Sequence, residues 1–280
     1  DGSAKSASAA TTPEGLAVDV TYNGSSTAPT GAGTYAVGAT INDPNYEGSV
    51  NGNLVIGKAL ASVALGDLAQ TYDGNARSAT VTTTPEGLAV DFTYNGDPQA
   101  PTDAGSYAVV ATINDPNYEG TASGDLVISK ATASVVLGDL AQAYDGSAKT
   151  ASATTTPEGL AIELTYDGSS TAPAGVGTYA VAATVNDANY EGTASGSLVI
   201  GKGTVSIVLG DLAQTYDGSP RLASVTTTPE GLTVNLTYNG NAEAPTGAGF
   251  YDVVATVDEA NYAGSARDTL VIGKATVLVT

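Results

Sequence analysis

The sequence predicts an all-β protein built as a tandem array of four small β-sandwich modules. The chain of 280 residues repeats itself every 72 residues without insertion or deletion. A fixed period of this length is the sequence signature of a repeat architecture. No stretch has the 3.6-residue periodicity of a helix, and turn signals recur about every 8–12 residues, as in a β-sandwich or barrel. The period is marked by the prolines of a recurring Thr-Pro-Glu-Gly turn: Pro13, Pro85, Pro157 and Pro229.

The first half of each repeat predicts short strands separated by turns. In the second repeat, β-rich runs at 61–65 and 68–72 precede Asp73-Gly74. This dipeptide is typical of a turn, because Gly adopts positive φ without strain and Asp tolerates it. Small and β-branched residues at 78–83 predict the next strand, which leads into the Thr-Pro-Glu-Gly turn.

The second half of the repeat predicts longer strands. Residues 88–94 alternate, so that Leu88, Phe92 and Tyr94 share one face of a strand. Asn95-Gly96 follows, which is the strongest short-range signal for a tight hairpin turn. The runs 106–113 and 121–128 alternate in the same way. Each repeat therefore has about five to seven short strands.

The repeat boundaries follow from the period. We expect repeat 1 at 1–58, without its first strand, and the start of a fifth repeat at 275–280. No Gly/Ser-rich or Pro-rich linker separates neighbouring repeats, so we expect a small shared interface and a stiff rod of about 100–160 Å. A further hypothesis is that Thr276–Thr280 adds as a strand to the first repeat of another molecule. The complete repeats are expected at 59–130, 131–202 and 203–274.

The composition excludes several functions. The chain has 29 Asp and Glu against 9 Lys and Arg, a net charge of -20, and no Cys, His, Met or Trp. The commonest general bases, nucleophiles and transition-metal ligands are therefore absent. Nucleic acid and anionic lipid need basic patches, and no apolar run approaches the length of a membrane span. We predict no enzyme, no nucleic-acid partner, no membrane insertion of this segment, and no cofactor apart from the calcium considered below.

Recurring strings also carry a resemblance. The string Ala32-Gly-Thr-Tyr-Ala-Val-Gly-Ala-Thr-Ile-Asn-Asp-Pro-Asn-Tyr-Glu-Gly48 occurs with Thr71-Tyr-Asp-Gly74 and with repeat endings of the form Leu-Val-Ile-x-Lys. In this combination the chain resembles the YDG-type MBG and Ig-like tandem repeats of large bacterial cell-surface adhesins, over all four repeats. The resemblance implies Ig-like β-sandwich modules, with β-grasp-like modules as the alternative, in an extracellular or cell-surface stalk. Because no helix pattern is present, we expect the sandwich.

Acidic residues near the turns suggest calcium. Asp115, Asn117 and Glu119 lie in one turn, and Asp67 and Asp139 lie near the predicted junctions. Calcium takes six to eight hard oxygen ligands, and a junction site would stiffen a stalk. The spacing does not match an EF-hand loop, and the fourth repeat has Ala263 in place of Glu119. Turn formation by Asx side chains is the alternative, and we expect it.

The tyrosines suggest a second kind of site. All 15 fall at four repeat positions. Exposed rings would offer a platform for stacking sugars. A chain without Trp and with 2 Phe needs its tyrosines as core mass. We therefore expect Tyr166 and Tyr179 to pack in or beside the core, with their hydroxyls bound by loop backbone.

The cations are as regular as the tyrosines. A lysine beside an asparagine and an acid suggests an intramolecular isopeptide bond, and Lys58 with Asn45 is the pair to test. The alternative, which we expect, is a junction lysine in a solvated or inter-repeat ion pair worth about 0–1 kcal/mol. Eight of the nine cations occupy two repeat positions, namely Lys5, Arg77, Lys149 and Arg221, and Lys58, Lys130, Lys202 and Lys274.

These observations predict a structural function. Four near-identical units argue against one specialised site and favour a stalk that projects a terminal binding domain from a bacterial cell. The alternative is a multivalent module with one weak site for a host glycan, mucin or protein in each repeat, where avidity multiplies the affinity.

Overall fold

The computed structural model describes residues 2–279, and every regular element in that range is a β-strand. The chain divides into two compact units, Asp1–Ala131 and Thr132–Thr280. Within residues 2–279, no helix offers the length and apolar character needed to span a bilayer. The predicted all-β class is confirmed.

The first unit contains the first two repeats. Its strands are β1 (Val18–Tyr22), β2 (Gly33–Ile41), β3 (Ser49–Ile56), β4 (Ala59–Leu60), β5 (Ser62–Gly66), β6 (Ala69–Thr71), β7 (Thr80–Thr84), β8 (Val90–Tyr94), β9 (Gly105–Ile113), β10 (Tyr118–Glu119) and β11 (Thr121–Ser129).

The second unit contains the third and fourth repeats. The division between the two units falls within the two-residue strand Ala131–Thr132, after Ala131. The strands are β12 (Ala131–Thr132), β13 (Ser134–Gly138), β14 (Ala141–Ala143), β15 (Ser152–Thr156), β16 (Ile162–Tyr166), β17 (Gly177–Val185), β18 (Tyr190–Glu191), β19 (Thr193–Gly201), β20 (Gly203–Thr204), β21 (Ser206–Gly210), β22 (Ala213–Thr215), β23 (Ser224–Thr228), β24 (Asn235–Tyr238), β25 (Gly249–Asp258) and β26 (Tyr262–Gly273).

A complete repeat is a two-layer sandwich. In the second repeat, one layer is a four-stranded sheet in the order β6-β11-β9-β8, and the other is the antiparallel pair β5-β7. Strand β9 pairs antiparallel with both β8 and β11, whereas β6 runs parallel to β11. The third repeat has the same order, β14-β19-β17-β16, beside β13-β15. The sandwich prediction is confirmed, and the parallel edge strand is a feature that alternation alone does not predict.

Each complete repeat has its own hydrophobic core between the two layers. In the second repeat, Val109 and Leu126 are fully buried, and Leu65 of the other layer and Leu68, directly before β6, pack against this core. Burial of each such side chain contributes about 1.5–3 kcal/mol. The alternation predicted for 106–113 and 121–128 is therefore the alternation observed. The matching core of the third repeat contains Ala151, Tyr166, Val181, Leu198 and Ile200, and that of the fourth Ala223, Tyr238, Val253, Leu270 and Ile272.

The three-stranded sheet of the first repeat is less well covered by a second layer than the sheets of the other repeats. Its described residues form the three-stranded sheet β1-β2-β3 without the strands that close the other repeats. Leu54, the counterpart of Leu126, is only half-buried, and Val50 is 63% exposed. At the other end of the chain, residues 274–279 form no strand and are exposed. The strand addition predicted for 276–280 therefore remains a hypothesis, and Thr280 lies outside the described residues.

The Asn-Gly turns lock β8 onto β9. Asn95 has φ of 50° and Gly96 of 87°, as the tight hairpin turn requires. The Asn95 Oδ1 atom accepts a hydrogen bond of 2.9 Å from the Ala108 N–H on β9. The third repeat has Asp167 at this position, with φ of 49° and the same contact, 2.8 Å from the Ala180 N–H.

This turn gives the first prediction. Asn95→Ala removes the acceptor of the Ala108 N–H and places alanine, which adopts positive φ only with strain, at this position. We therefore expect the free energy of unfolding to fall by about 1–3 kcal/mol. Hydrogen exchange of the Ala108 amide measures the change locally. Asn95→Asp is the control, because Asp167 already makes the same contact. Equal exchange rates in the two variants would contradict the assignment.

Candidate functional site: the joint between repeats

Consecutive repeats within the first unit are joined by main-chain hydrogen bonds. Strand β4, which connects the first repeat to the second, pairs in parallel with β10 of the second repeat, with Ala59 opposite Tyr118. The Ala59 N–H donates to the Asn117 carbonyl at 2.8 Å, and the Ala61 N–H donates to the Glu119 carbonyl at 2.9 Å. The segment that leads from the first repeat into the second is thus a short strand, and it is hydrogen-bonded to β10 of the second repeat.

The turn before β10 adds side-chain contacts to this joint. An Asp115 carboxylate oxygen accepts hydrogen bonds from the N–H groups of Asn117, at 2.7 Å, and Tyr118, at 3.0 Å. The Asn117 Oδ1 atom, held by this Asx turn, accepts a hydrogen bond of 2.8 Å from the Ala32 N–H in a loop of the first repeat. Lys58 Nζ donates to the Asp115 carbonyl at 2.7 Å. We call the residues 114–120 of this repeat the socket, and residues 58–61 with Ala32 the plug.

The second unit contains the same joint between the third and fourth repeats. Strand β20 pairs in parallel with the beginning of β26, and the Gly203 N–H donates to the Asn261 carbonyl at 2.9 Å. Lys202 Nζ forms an ion pair with the Asp258 carboxylate. The rings of Tyr144 and Tyr262 meet edge to face, with their centroids 5.2 Å apart. Such aromatic pairs contribute about 0.5–1.5 kcal/mol beyond their buried area.

A glycine makes room for the plug in each unit. A Cβ atom on Gly120 would lie 2.4 Å from the Ala61 carbonyl oxygen. In the second unit, a Cβ atom on Gly264 would lie 3.0 Å from the Val205 carbonyl oxygen. Gly48, at the same position of the first repeat, would meet only the flexible Ile41 side chain, at 3.2 Å. The glycine requirement therefore comes from the plug and not from the turn.

The structure separates the calcium candidates. Asp115, Asn117 and Glu119 lie together in the socket, where the oxygens of Asp115 and Asn117 already accept N–H groups. Asp67 and Asp139 lie in the turns before β6 and β14, with φ of 54° each. Within residues 2–279, no three acidic residues converge in a way that would hold a metal ion. The side-chain oxygens of Asp115 and Asn117 accept hydrogen bonds within the turn and across the joint. A calcium site at these residues remains an untested hypothesis.

Three of the four tyrosine positions contribute to the cores, since Tyr144 packs against the core of the third repeat as Tyr166 and Tyr179 do. Tyr166 is 5% exposed, and its hydroxyl oxygen accepts the Ala151 N–H at 2.9 Å. Tyr179 packs against the same core, and its hydroxyl donates to the Gly175 carbonyl at 3.0 Å. The prediction for both residues is confirmed. Tyr144 also meets Tyr262, which represents the fourth position, at the joint, a role that the sequence did not predict.

The two lysine and arginine positions also have separate roles. At the first position, in the second, third and fourth repeats, the side chain binds the aspartate of the Asp-Gly turn, as in Arg77 with Asp73 at 2.6 Å. Hydrogen bonding to the Asn75 N–H, with the Arg77 charge as a smaller cause, lowers the pKa of Asp73. At the second position, Lys58 is exposed and donates to the next repeat. The Lys58 ammonium group is thus hydrogen-bonded to the Asp115 carbonyl of the next repeat. This contact favours the expected inter-repeat role of Lys58 over an isopeptide bond with Asn45.

The Lys202–Asp258 pair gives a pH-dependent prediction. The hydrogen bond from Lys202, and then its charge, lower the pKa of Asp258. A carboxyl group whose pKa is lower in the folded state stabilises it above the ordinary aspartate pKa of about 3.9, and this contribution is lost as the pH falls through the lowered value. We expect protection of the Gly203 amide against hydrogen exchange to fall in that acidic range. The same step in an Asp258→Asn variant, which has no such carboxyl group, would contradict the prediction.

The sequence predicted a shared interface and a junction lysine, but it did not predict the strand pairing and the turn that form the joint. Two signals indicate it: the Asn-Asp-Pro-Asn-Tyr-Glu-Gly turn is identical at 42–48 and 114–120, and a lysine ends every repeat. Neither signal shows by itself that the two segments meet. Their contact depends on how one repeat follows the next, which is a property of the fold.

Tandem all-β modules, each with its own core and joined through a fixed turn, define a repeat-array protein. The MBG domain family model matches the chain at residues 1–60, 61–132, 133–204 and 205–276. The chain therefore belongs to the MBG domain family, as the resemblance implied. No curated protein matches it.

Solved structures align with the chain only distantly. Immunoglobulin domains 1–4 of Sidekick-1 align at 13% identity over 92% of this chain and 90% of that chain, with a TM-score of 0.25. Drosophila N-cadherin EC1-4 aligns at 10% identity over 87% and 83%, with a TM-score of 0.23. The surface layer protein SbsC, domains 1–6, aligns at 12% identity over 90% and 46%, with a TM-score of 0.22. We infer neither a partner nor an activity from alignments at these scores.

Proposed function

We propose that the chain is a structural stalk region of a bacterial cell-surface adhesin, which projects a terminal binding domain away from the cell. The joint is the observation that supports this proposal most strongly. In each unit, the segment that connects consecutive repeats is held on the following repeat by parallel strand pairing, and the lysine directly before this segment contacts the same repeat, so that no flexible linker intervenes. We place the repeat boundaries directly after these lysines, at 58/59, 130/131 and 202/203.

The composition of the chain also supports a stalk. The chain has 29 acidic and 9 basic residues, and the repulsion between like charges favours a solvated array that does not aggregate. The proposed role is extracellular and non-catalytic, and its partners are the neighbouring repeats. The rival function, multivalent weak binding of a host glycan, mucin or protein, has less support, because Tyr166 and Tyr179 are engaged in the core and are not available for stacking on sugars.

Solution scattering together with a binding assay tests the proposal. A stalk of about 100–160 Å gives a radius of gyration of about 30–45 Å, whereas a compact chain of this length gives about 19 Å. We also expect no saturable binding of the full chain to immobilised mucin, compared with an acidic protein of similar net charge. A radius of gyration near the compact value, or saturable binding to mucin, would count against the stalk.

A further inference from the structure

The segment that begins the second repeat lies beside the segment that ends it, at two places. Strand β4 pairs in parallel with β10, directly before β11, and β6 pairs in parallel with the end of β11, with Ala69 opposite Val127. Between these two pairings, β5 crosses to the other layer and pairs with β7. The two segments, 59–71 and 118–129, therefore run in the same direction.

Main-chain hydrogen bonds hold both pairings. The bonds of β4 are those of the joint, described above. At the other end, the Val127 N–H donates to the Leu68 carbonyl at 2.8 Å, and the Tyr72 N–H donates to the Ser129 carbonyl at 2.9 Å. The beginning of the repeat is thus bonded to its last strand both before and after the crossing to the other layer.

The fourth repeat has the same arrangement on one continuous strand. Strand β26 pairs in parallel with β20 near its beginning, where Gly203 lies opposite Tyr262, and with β22 at its end, where Thr215 lies opposite Gly273. The third repeat has the second of these pairings, between β14 and β19. The parallel contacts recur in both units and are therefore a property of the repeat.

We propose that these two parallel contacts form a clamp through which a repeat bears tension. In the second repeat the clamp consists of residues 59–71 and 118–129. The chain enters at residue 59, at one end of the paired segments, and leaves after residue 129, at the other end. Tension along the chain therefore slides the two segments past one another. The hydrogen bonds of parallel strands link the segments sideways, so this sliding loads them together.

Resistance to tension goes beyond the proposed stalk function. A stiff stalk keeps a binding domain at a distance from the cell, whereas the clamp keeps a repeat folded when the two ends of the chain are pulled apart. Resistance to force is set by the rate of unfolding and not by the stiffness of the joint. The two properties are measured separately, so either proposal can fail without the other.

Optical tweezers test the clamp with two pairs of attachment points on the full chain. The chain has no cysteine, so handles attach only to introduced thiols. Gly57→Cys and Lys130→Cys lie directly before and after the second repeat, and force between them slides the clamp. In the matched control, Asn75→Cys replaces Gly57→Cys. Asn75 follows β6, so force between it and Lys130 acts at one end of both segments and breaks the bonds one at a time. All three positions are exposed.

The sliding geometry should require the larger force. With Gly57→Cys and Lys130→Cys we expect unfolding in one step that releases about 240–260 Å of extended chain, which shows that the whole repeat was folded. The unfolding rate governs forced unfolding, so we expect this force to be at least about twice that of the control pair. Equal forces for the two pairs would overturn the proposal.

A variant of the joint separates the clamp from the rest of the repeat. Gly120→Ala displaces β4 from β10, because its Cβ atom would lie 2.4 Å from the Ala61 carbonyl oxygen. We expect it to lower the force in the sliding geometry and to leave the control pair unchanged, since peeling starts at β6. Gly48→Ala should change neither force. If Gly120→Ala left the sliding force unchanged, the joint would not be part of a clamp.

Discussion

Replacement of Leu198 by alanine should destabilise the third repeat by about 2–5 kcal/mol. Leu198 is fully buried in the core of that repeat, between the two layers of the sandwich. The substitution removes buried methyl groups and leaves a cavity that the close-packed neighbours refill only in part. In a repeat array each module contributes its own stability and that of its contacts, so the loss should be concentrated in the third repeat. Hydrogen exchange of the amides on β17 and β19 measures it.

Two control variants separate burial from other causes. Val199 is the next residue on the same strand, faces away from the core and is 46% exposed, so Val199→Ala should change stability by no more than about 0.5 kcal/mol. Leu54 occupies the same repeat position in the first repeat but is only half-buried, so Leu54→Ala should cost less than Leu198→Ala. Similar losses for all three variants would show that burial of Leu198 is not the cause of the loss of stability.

A methyl group on Gly120 should break the joint of the first unit. The new Cβ atom would lie 2.4 Å from the Ala61 carbonyl oxygen, so the strand pair β4–β10 must shift or separate. Overpacking of this kind costs about 1–3 kcal/mol. We expect Gly120→Ala to increase hydrogen exchange at the Ala59 and Ala61 amides, which donate across the joint.

The same substitution in the first repeat is the control. A Cβ atom on Gly48 would meet only the terminal methyl of Ile41 at 3.2 Å, which can move, so Gly48→Ala should be tolerated. The core of the second repeat should be unaffected by Gly120→Ala, as judged from exchange on β9 and β11. If Gly120→Ala left the joint amides protected, the proposed contact between plug and socket would be wrong.

Much of the fold follows from local sequence. The period gives the number of repeats, and strict alternation places Val109 and Leu126 on the inner face, where the structure has them. The Asn-Gly pairs predict the tight turns at positive φ. The parallel pairing of β6 with β11 was not predictable in this way, because pairing partners far apart in sequence leave no local pattern.

The joint was predictable only in outline. The absence of a flexible linker indicates a shared interface, but the sequence of the socket is equally suited to a metal-binding loop or a simple turn. What decides between them is the position of Ala32 and Lys58, which donate to Asn117 and Asp115 from the preceding repeat. That position depends on the three-dimensional relation of two repeats, and no motif within one repeat encodes it.

The central claim is that the joint couples neighbouring repeats stiffly. Pulsed electron–electron double resonance, which measures the distance distribution between two spin labels, tests this claim most directly when the labels lie on either side of the first joint. Spin labels on the exposed positions Thr34→Cys and Ser123→Cys report across the joint, and labels at Ser106→Cys and Ser123→Cys report within one repeat. A stiff joint predicts a single distance distribution across the joint that is as narrow as the one within the repeat, and that broadens in Gly120→Ala. A distribution several times broader in the unaltered background would show that the repeats pivot freely and would contradict the stalk.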